Sequence, residues 1–244
     1  MKRVWCISLI MLAAQLFAQA TIPAGTILPV ALNSSLNSGK VKAGQVITAR
    51  IMQDVPLSLG SKIRAGSKVI GRVVSVKPAN GAPDAQLSLR FDTLVAGKQR
   101  FPITANLRAL ASMMAVEQAQ LPEAGPDRGT PQSVWTTDQI GGEVVYRGGG
   151  PVADGLRSVG EPTDHGVLVH VSSKTGSKCR GEIYGNDRLQ ALWVFSSDAC
   201  GAYDFPDLEI THAGRTDPLG QITLESSKGD LHLRAGAGML LRLN

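Results

Sequence analysis

Aromatic side chains make up only 5% of this 244-residue sequence, and there are just three cysteines. Too few rings are present to interleave with basic residues as stacking platforms. Lys and Arg are spread along the chain rather than gathered into a stripe, so neither feature of a nucleic-acid binder is met. Charge of one sign is also in short supply. The formal net charge of +5 reads mostly as solvated surface, with weak attraction to anionic envelope components.

Catalytic and ligand-binding signatures are missing too. There is no Gly-x-Ser-x-Gly elbow to strain a nucleophile, and Ser196, Ser197, Asp198, Asp164 and His212 form only the set any chain of this length contains. His165 and His170 stand five apart, a spacing that suits neither a helix face nor the usual paired metal ligands. Asp154, Asp187, Asp198 and Asp217 miss calcium-loop spacing. The glycines Gly141-Gly142 and Gly148-Gly149-Gly150 lack the Lys-Ser/Thr or helix start of a phosphate loop and read as sharp bends or close backbone approaches. No catalytic, cofactor-binding or metal residue is assigned, and no cofactor is implied.

What is present begins with Met1-Lys2-Arg3, an apolar stretch over 4–17, and Ala18-Gln19-Ala20. A basic start, a short apolar run and a small-x-small site are the layout of a cleavable secretory signal peptide, cut near Ala20. The run is short for a transmembrane span, and none is expected in the mature chain. Periplasmic or extracellular placement follows. Cys6 leaves with the leader, so Cys179 and Cys200 remain in an oxidising compartment and are expected to form one disulfide. Closing that loop of about 22 residues would contribute on the order of 3 kcal/mol.

A repeated phrase organises the rest: an apolar residue, any residue, Ala-Gly, then a strand-like run. It occurs as Ile22-Pro23-Ala24-Gly25, Val41-Lys42-Ala43-Gly44, Ile63-Arg64-Ala65-Gly66 and Leu94-Val95-Ala96-Gly97, and returns at Arg234-Ala235-Gly236. Glycine supplies turn freedom and the β-branched residues that follow favour strands. The pattern predicts an all-β chain. A small N-terminal β-barrel is expected over 21–110, a helix and linker over 111–134, and a β-rich sandwich or barrel over 135–244. The one helix candidate is 107–120, where Leu107, Leu110, Met113 and Met114 lie near one helical face. Strands are expected at 26–32, 46–52, 55–59, 68–76, 86–91 and 100–105, then at 142–147, 166–172, 189–195, 208–212, 221–225, 231–234 and 239–243.

Ile22-Pro23-Ala24-Gly25-Thr26-Ile27-Leu28-Pro29, followed some forty residues later by Ile63-Arg64-Ala65-Gly66-Ser67-Lys68-Val69-Ile70-Gly71, resembles the TrbI-type family of type IV secretion and conjugation scaffolds. The family's second motif carries Pro where Arg64 stands here, and the resemblance covers about residues 21–110. It implies a periplasmic β-barrel that assembles into an envelope ring. With the leader and the turn–strand repeat, it supports an exported, non-catalytic envelope protein acting by assembly or binding. Its expected partners are other envelope proteins or further copies of itself. The alternative is a secreted glycan- or peptide-acting hydrolase, its site in the second half and its candidate residues His165, His170 and His212, or a carbohydrate-binding module using an exposed pair among the second-half aromatics Trp135, Tyr146, Tyr184, Trp193 and Tyr203.

Overall fold

The computed structural model describes residues 22–121, 136–146, 150–171 and 188–244. In chain order the first strands are β1 (Ile27–Leu32), β2 (Leu36–Asn37), β3 (Val46–Ile51), β4 (Val55–Pro56), β5 (Lys62–Ile63), β6 (Lys68–Lys77), β7 (Ala85–Ala96), β8 (Gln99–Pro102) and β9 (Ala105–Ala111). The helix α1 (Met113–Gln120) follows. A second group comprises β10 (Thr136–Asp138), β11 (Val144–Tyr146), β12 (Val152–Asp154), β13 (Arg157–Thr163), β14 (Gly166–Val169) and β15 (Gln190–Ala191). The chain ends with β16 (Gly201–Tyr203), β17 (Leu208–Thr211), β18 (Ile222–Ser226), β19 (His232–Leu233) and β20 (Gly238–Leu243). The fold is all-β with one short helix, as the turn–strand repeat predicts.

Ten strands form a nearly closed, barrel-like sheet in the order β16-β9-β20-β1-β3-β6-β7-β18-β17, with β8 also paired to β7. Strands from 27–111 and from 201–243 share this sheet, and β20 lies between β1 and β9. The N-terminal stretch expected to make a barrel thus nears closure only with strands from the other end of the chain. Between these two contributions the chain makes a six-stranded antiparallel meander, β10 to β15.

The Ala-Gly phrase explains how the barrel strands start. At Gly25, Gly44, Gly66 and Gly236 the φ angle is 79°, 83°, 85° and 89°. Each of these turns is closed by an i→i+3 bond: Thr26 to Pro23, Gln45 to Lys42, Ser67 to Arg64 and Ala237 to Arg234, at 3.1–3.2 Å. Glycine third in the turn with φ near +80° is the type II arrangement, which a side chain at that position would strain. Each turn is then clipped to a neighbouring strand. The glycine N–H donates to Leu243, Val73, Ile51 or Leu32, and the N–H of that same residue donates back to the residue after the glycine. Two such clips bind β1 to β20 and two bind β3 to β6. The fifth phrase, at Ala96-Gly97, instead turns the β7–β8 hairpin.

The helix expected over 107–120 is half right. Residues 105–111 form β9 and every one of them is buried. A strand covered on both faces loses its period of two and reads as a continuous apolar run, which mimics a helix. The helix begins only at Met113, where the Ser112 hydroxyl accepts from the Ala115 N–H at 3.1 Å as its N-cap. The strand expected over 189–195 is continuous only at Gln190–Ala191, because Trp193 turns the chain with φ 55°; beyond the turn Phe195 makes a single parallel bridge to Ile140. The one expected over 55–59 gives way to a 3-10 turn at Ser58–Gly60.

Two apolar cores result. Leu28, Val30, Ile47, Ile51, Leu87, Leu89, Phe91 and Leu241 fill the barrel. Ile27, Ala31, Ala109 and Leu240 point the other way, where α1 contributes Val116 and the meander region contributes Val145, Val152, Val167, Trp193 and Phe195. Alternation along β1 therefore feeds both cores, and its six residues are all buried.

Candidate functional site

Two polar assemblies bear on function: the joint between barrel and meander, and a groove at the open seam of the barrel. At the joint, Gln53 leaves the end of β3 and is 2% exposed. Its Nε2 donates to the Val167 carbonyl at 2.7 Å and the Thr163 hydroxyl at 3.2 Å, and its Oε1 accepts from the Trp193 N–H at 2.7 Å. One amide thus holds two segments of the second layer. Gly166 is required beside it, since a Cβ there would sit 2.3 Å from Gln53 Oε1 and 2.6 Å from the Trp193 backbone.

Arg108 is the largest fully buried side chain of the described residues. Its Nε donates to the Ala199 carbonyl at 2.7 Å and its Nη2 to the Ser197 carbonyl at 2.9 Å. Burial pulls its pKa down to about 10, still charged at neutral pH. Ser197 in turn donates from its backbone N–H at 2.9 Å, and from its hydroxyl, to the Glu143 carboxylate. Burial raises the Glu143 pKa despite these donors. Arg108, the 196–200 loop and Glu143 thereby form a continuous polar tie from β9 to the meander. Ser196 is engaged separately, donating to Asp198 at 2.8 Å, and a Cβ on Gly141 would lie 1.8 Å from its hydroxyl oxygen. That glycine permits a close backbone approach, with φ 119°.

The residues singled out from the sequence are dispersed. Asp164 and His165 occupy the exposed β13–β14 turn and His170 is exposed at the end of β14, while His212 follows β17. Among the described residues no group of three or more His, Cys, Asp or Glu is placed to hold a metal ion. Cys200 is buried at the start of β16, its N–H donating to the Tyr203 hydroxyl at 3.0 Å. Cys179 lies outside the described residues, as do Trp135, Tyr184 and residues 1–20, over which a signal peptide is expected. Trp193 is core, and Tyr146 is exposed on β11. Among the described residues no helix is long and apolar enough to cross a membrane.

The second place is a groove of about 1190 Å³ beside β16 and β17, the two end strands of the ten-stranded sheet. Its walls carry five carboxylates, Asp84, Asp204, Asp207, Glu209 and Glu225, against one cation, Lys77. Glu209 stands directly opposite Glu225 across the β17–β18 ladder. Like charges in that position are destabilising, and the neutral Gln86 answers them, its Nε2 donating to Glu225 at 3.0 Å. Among the described residues none of the five is in an ion pair. A smaller hollow of about 200 Å³ adjoins at Asp204 and Phe205 and is lined by Met113, Met114, His232 and Arg234.

Sequence reasoning missed Gln53, Arg108, Glu143 and all five groove carboxylates. Only Arg108 left a signal, as a charged residue inside the apolar run 105–111; such a residue is either functional or a buried tie. No protein-family model matches this chain, and no curated protein matches it either.

Proposed function

We propose that this chain is an exported, non-catalytic protein of the cell envelope, periplasmic or extracellular, that works as a structural assembly module for protein partners. The carrying observation is the open seam. The barrel-like sheet ends at β16 and β17, and a broad groove runs beside these end strands. A scaffold built this way is rigid along its clipped strands and leaves backbone donors and acceptors available at its ends. The polar ties support the same reading, since Glu143, Ser196 and Ser197 have their side chains engaged in holding layers and loops together.

The TrbI-like resemblance belongs to this reading. Its two phrases start β1 and β6, the strands on either side of β3, and both end in type II turns. The Cys179–Cys200 disulfide is proposed with it and would anchor the segment before β15 next to the Arg108 tie. Expression with the native leader tests the whole. The mature N-terminus should fall at about residue 21, the protein should leave the cytosol with both thiols oxidised, and in-cell cross-linking should yield defined envelope-protein adducts or oligomers. Retention in the cytosol with the leader intact, or a protein that stays monomeric and uncross-linked in the envelope, would overturn it.

A further inference from the structure

We propose that the groove at the barrel seam receives an extended, Lys/Arg-bearing segment of a partner protein, which adds to the sheet along the free edge of β17. The inference rests on the assembly reading above and names the partner's chemistry.

Three observations converge. The first is the edge itself: among the described residues β17 pairs only with β18 and β16 only with β9. Residues 204–207 join them directly, so both open edges border one groove. Main-chain groups on such an edge pair with an incoming strand, while side pockets choose its residues. The second is size. At about 1190 Å³ the groove exceeds the roughly 300–1,000 Å³ typical of small-molecule sites. Ala85, Phe205, Leu208 and Ile210 give it apolar patches between the charges.

The third observation is charge. The chain carries a net +5, yet the groove lining is five carboxylates to one lysine, opposite in sign to the chain as a whole. A protected edge needs only a charge on the edge strand, and Glu209 alone would serve. Glu225 one strand inward, with Asp84, Asp204 and Asp207 on the surrounding loops, goes beyond that requirement. The carboxylates are also spread too widely to hold a single metal ion. A strand that alternates apolar and basic residues matches both the spacing and the sign.

The test uses the full mature chain and a fluorescent peptide of about ten residues alternating Val and Lys, read by anisotropy. Binding should be saturable and weakened by salt. The matching Val/Glu peptide should not bind. Glu209→Lys should weaken the Val/Lys peptide by about tenfold or more, and Glu209→Gln with Asp207→Asn should do so by a smaller factor with the circular dichroism unchanged. A Val/Lys peptide N-methylated at alternate amides separates strand addition from simple charge attraction and should lose about tenfold. Equal binding by wild type and both variants, equal binding by the N-methylated peptide, or displacement by spermine at the peptide's own concentration would each overturn the proposal. The two readings fail separately. A cytosolic protein that binds the peptide keeps the groove and removes the envelope role, whereas an envelope oligomer indifferent to the peptide does the reverse.

Discussion

The barrel, antiparallel except where β16 joins β9, and the fully antiparallel meander are held by different means. Barrel strands β1, β3, β6 and β20 are fastened by backbone: four type II turns, each clipped to a neighbour by two main-chain bonds. The meander is fastened to the barrel by side chains, with Gln53, Arg108 and Glu143 reaching segments 54 to 140 positions away. Backbone clips need only a glycine at the right place and tolerate change in the residues around it. A side-chain tie fails with a single substitution, since the buried partner left behind costs its full desolvation. The barrel is therefore robust by repetition, and the joint is specific and fragile.

The largest expected effects ask whether two differently built regions still unfold as one. A Cβ on Gly71 would lie 2.2 Å from the Arg90 carbonyl oxygen in the barrel, and one on Gly160 would lie 2.1 Å from the Leu168 carbonyl in the meander. Both obstacles are backbone, so Gly71→Ala and Gly160→Ala should each cost about 3 kcal/mol. If the joint couples the layers, both variants lower one common urea transition. A second transition appearing only in Gly160→Ala would mean the meander unfolds on its own and the ties are weak.

Next in size is the joint. Gln53→Leu keeps volume but strands the Trp193 N–H in the interior and leaves the Val167 carbonyl with the Leu192 N–H at 3.2 Å, for an expected loss of about 2 kcal/mol. Hydrogen exchange should locate the loss, with β14 and the 190–195 segment losing protection before β1 or β20. Uniform loss across the barrel would place Gln53 in a single core and erase the distinction between the regions.

How much of this was readable beforehand follows the same division. The type II turns were legible because their cause is local: the residue that needs positive φ is glycine, and it sits three residues after an apolar one. Strands with one wet face, such as β6 with Val69 and Val73 inward, showed their alternation. β9 did not, since cover on both faces removes the alternation that separates strand from helix. The groove was illegible for another reason. Asp84, Asp204 and Glu225 meet only after β7, β16 and β18 have found their places in one sheet, and no short pattern records that. Gln53 and Glu143 read as ordinary surface polar residues until a second layer covers them.

A smaller effect isolates the backbone side of the comparison. At Gly44 and Gly66 a Cβ would meet nothing within 4 Å, so Gly44→Ala and Gly66→Ala should cost only the strain of positive φ, about 1 kcal/mol each. Because the turns belong to clips between the same pair of strands, β3 and β6, the double variant tests their independence. A loss equal to the sum makes the clips separate fasteners; a loss well above it makes them one cooperative unit.

The smallest effect is one of pH, and it sets the joint against the barrel surface. Burial raises the Glu143 pKa, so the folded state holds that proton more tightly than the unfolded chain. The stability it provides is full below the ordinary carboxylate range and falls as pH rises through the raised value. Asp54 behaves oppositely. The Lys62 ammonium at 2.5 Å and the Ala65 N–H lower its pKa, giving stability above the ordinary value that is lost as pH falls. Glu143→Gln keeps an acceptor for Ser197 and removes only the first trend. Between about pH 4.5 and 7 the variant should therefore lose less stability, or gain more, than the wild type. Parallel urea midpoints over that range would mean Glu143 titrates normally and the joint is wetter than its burial implies.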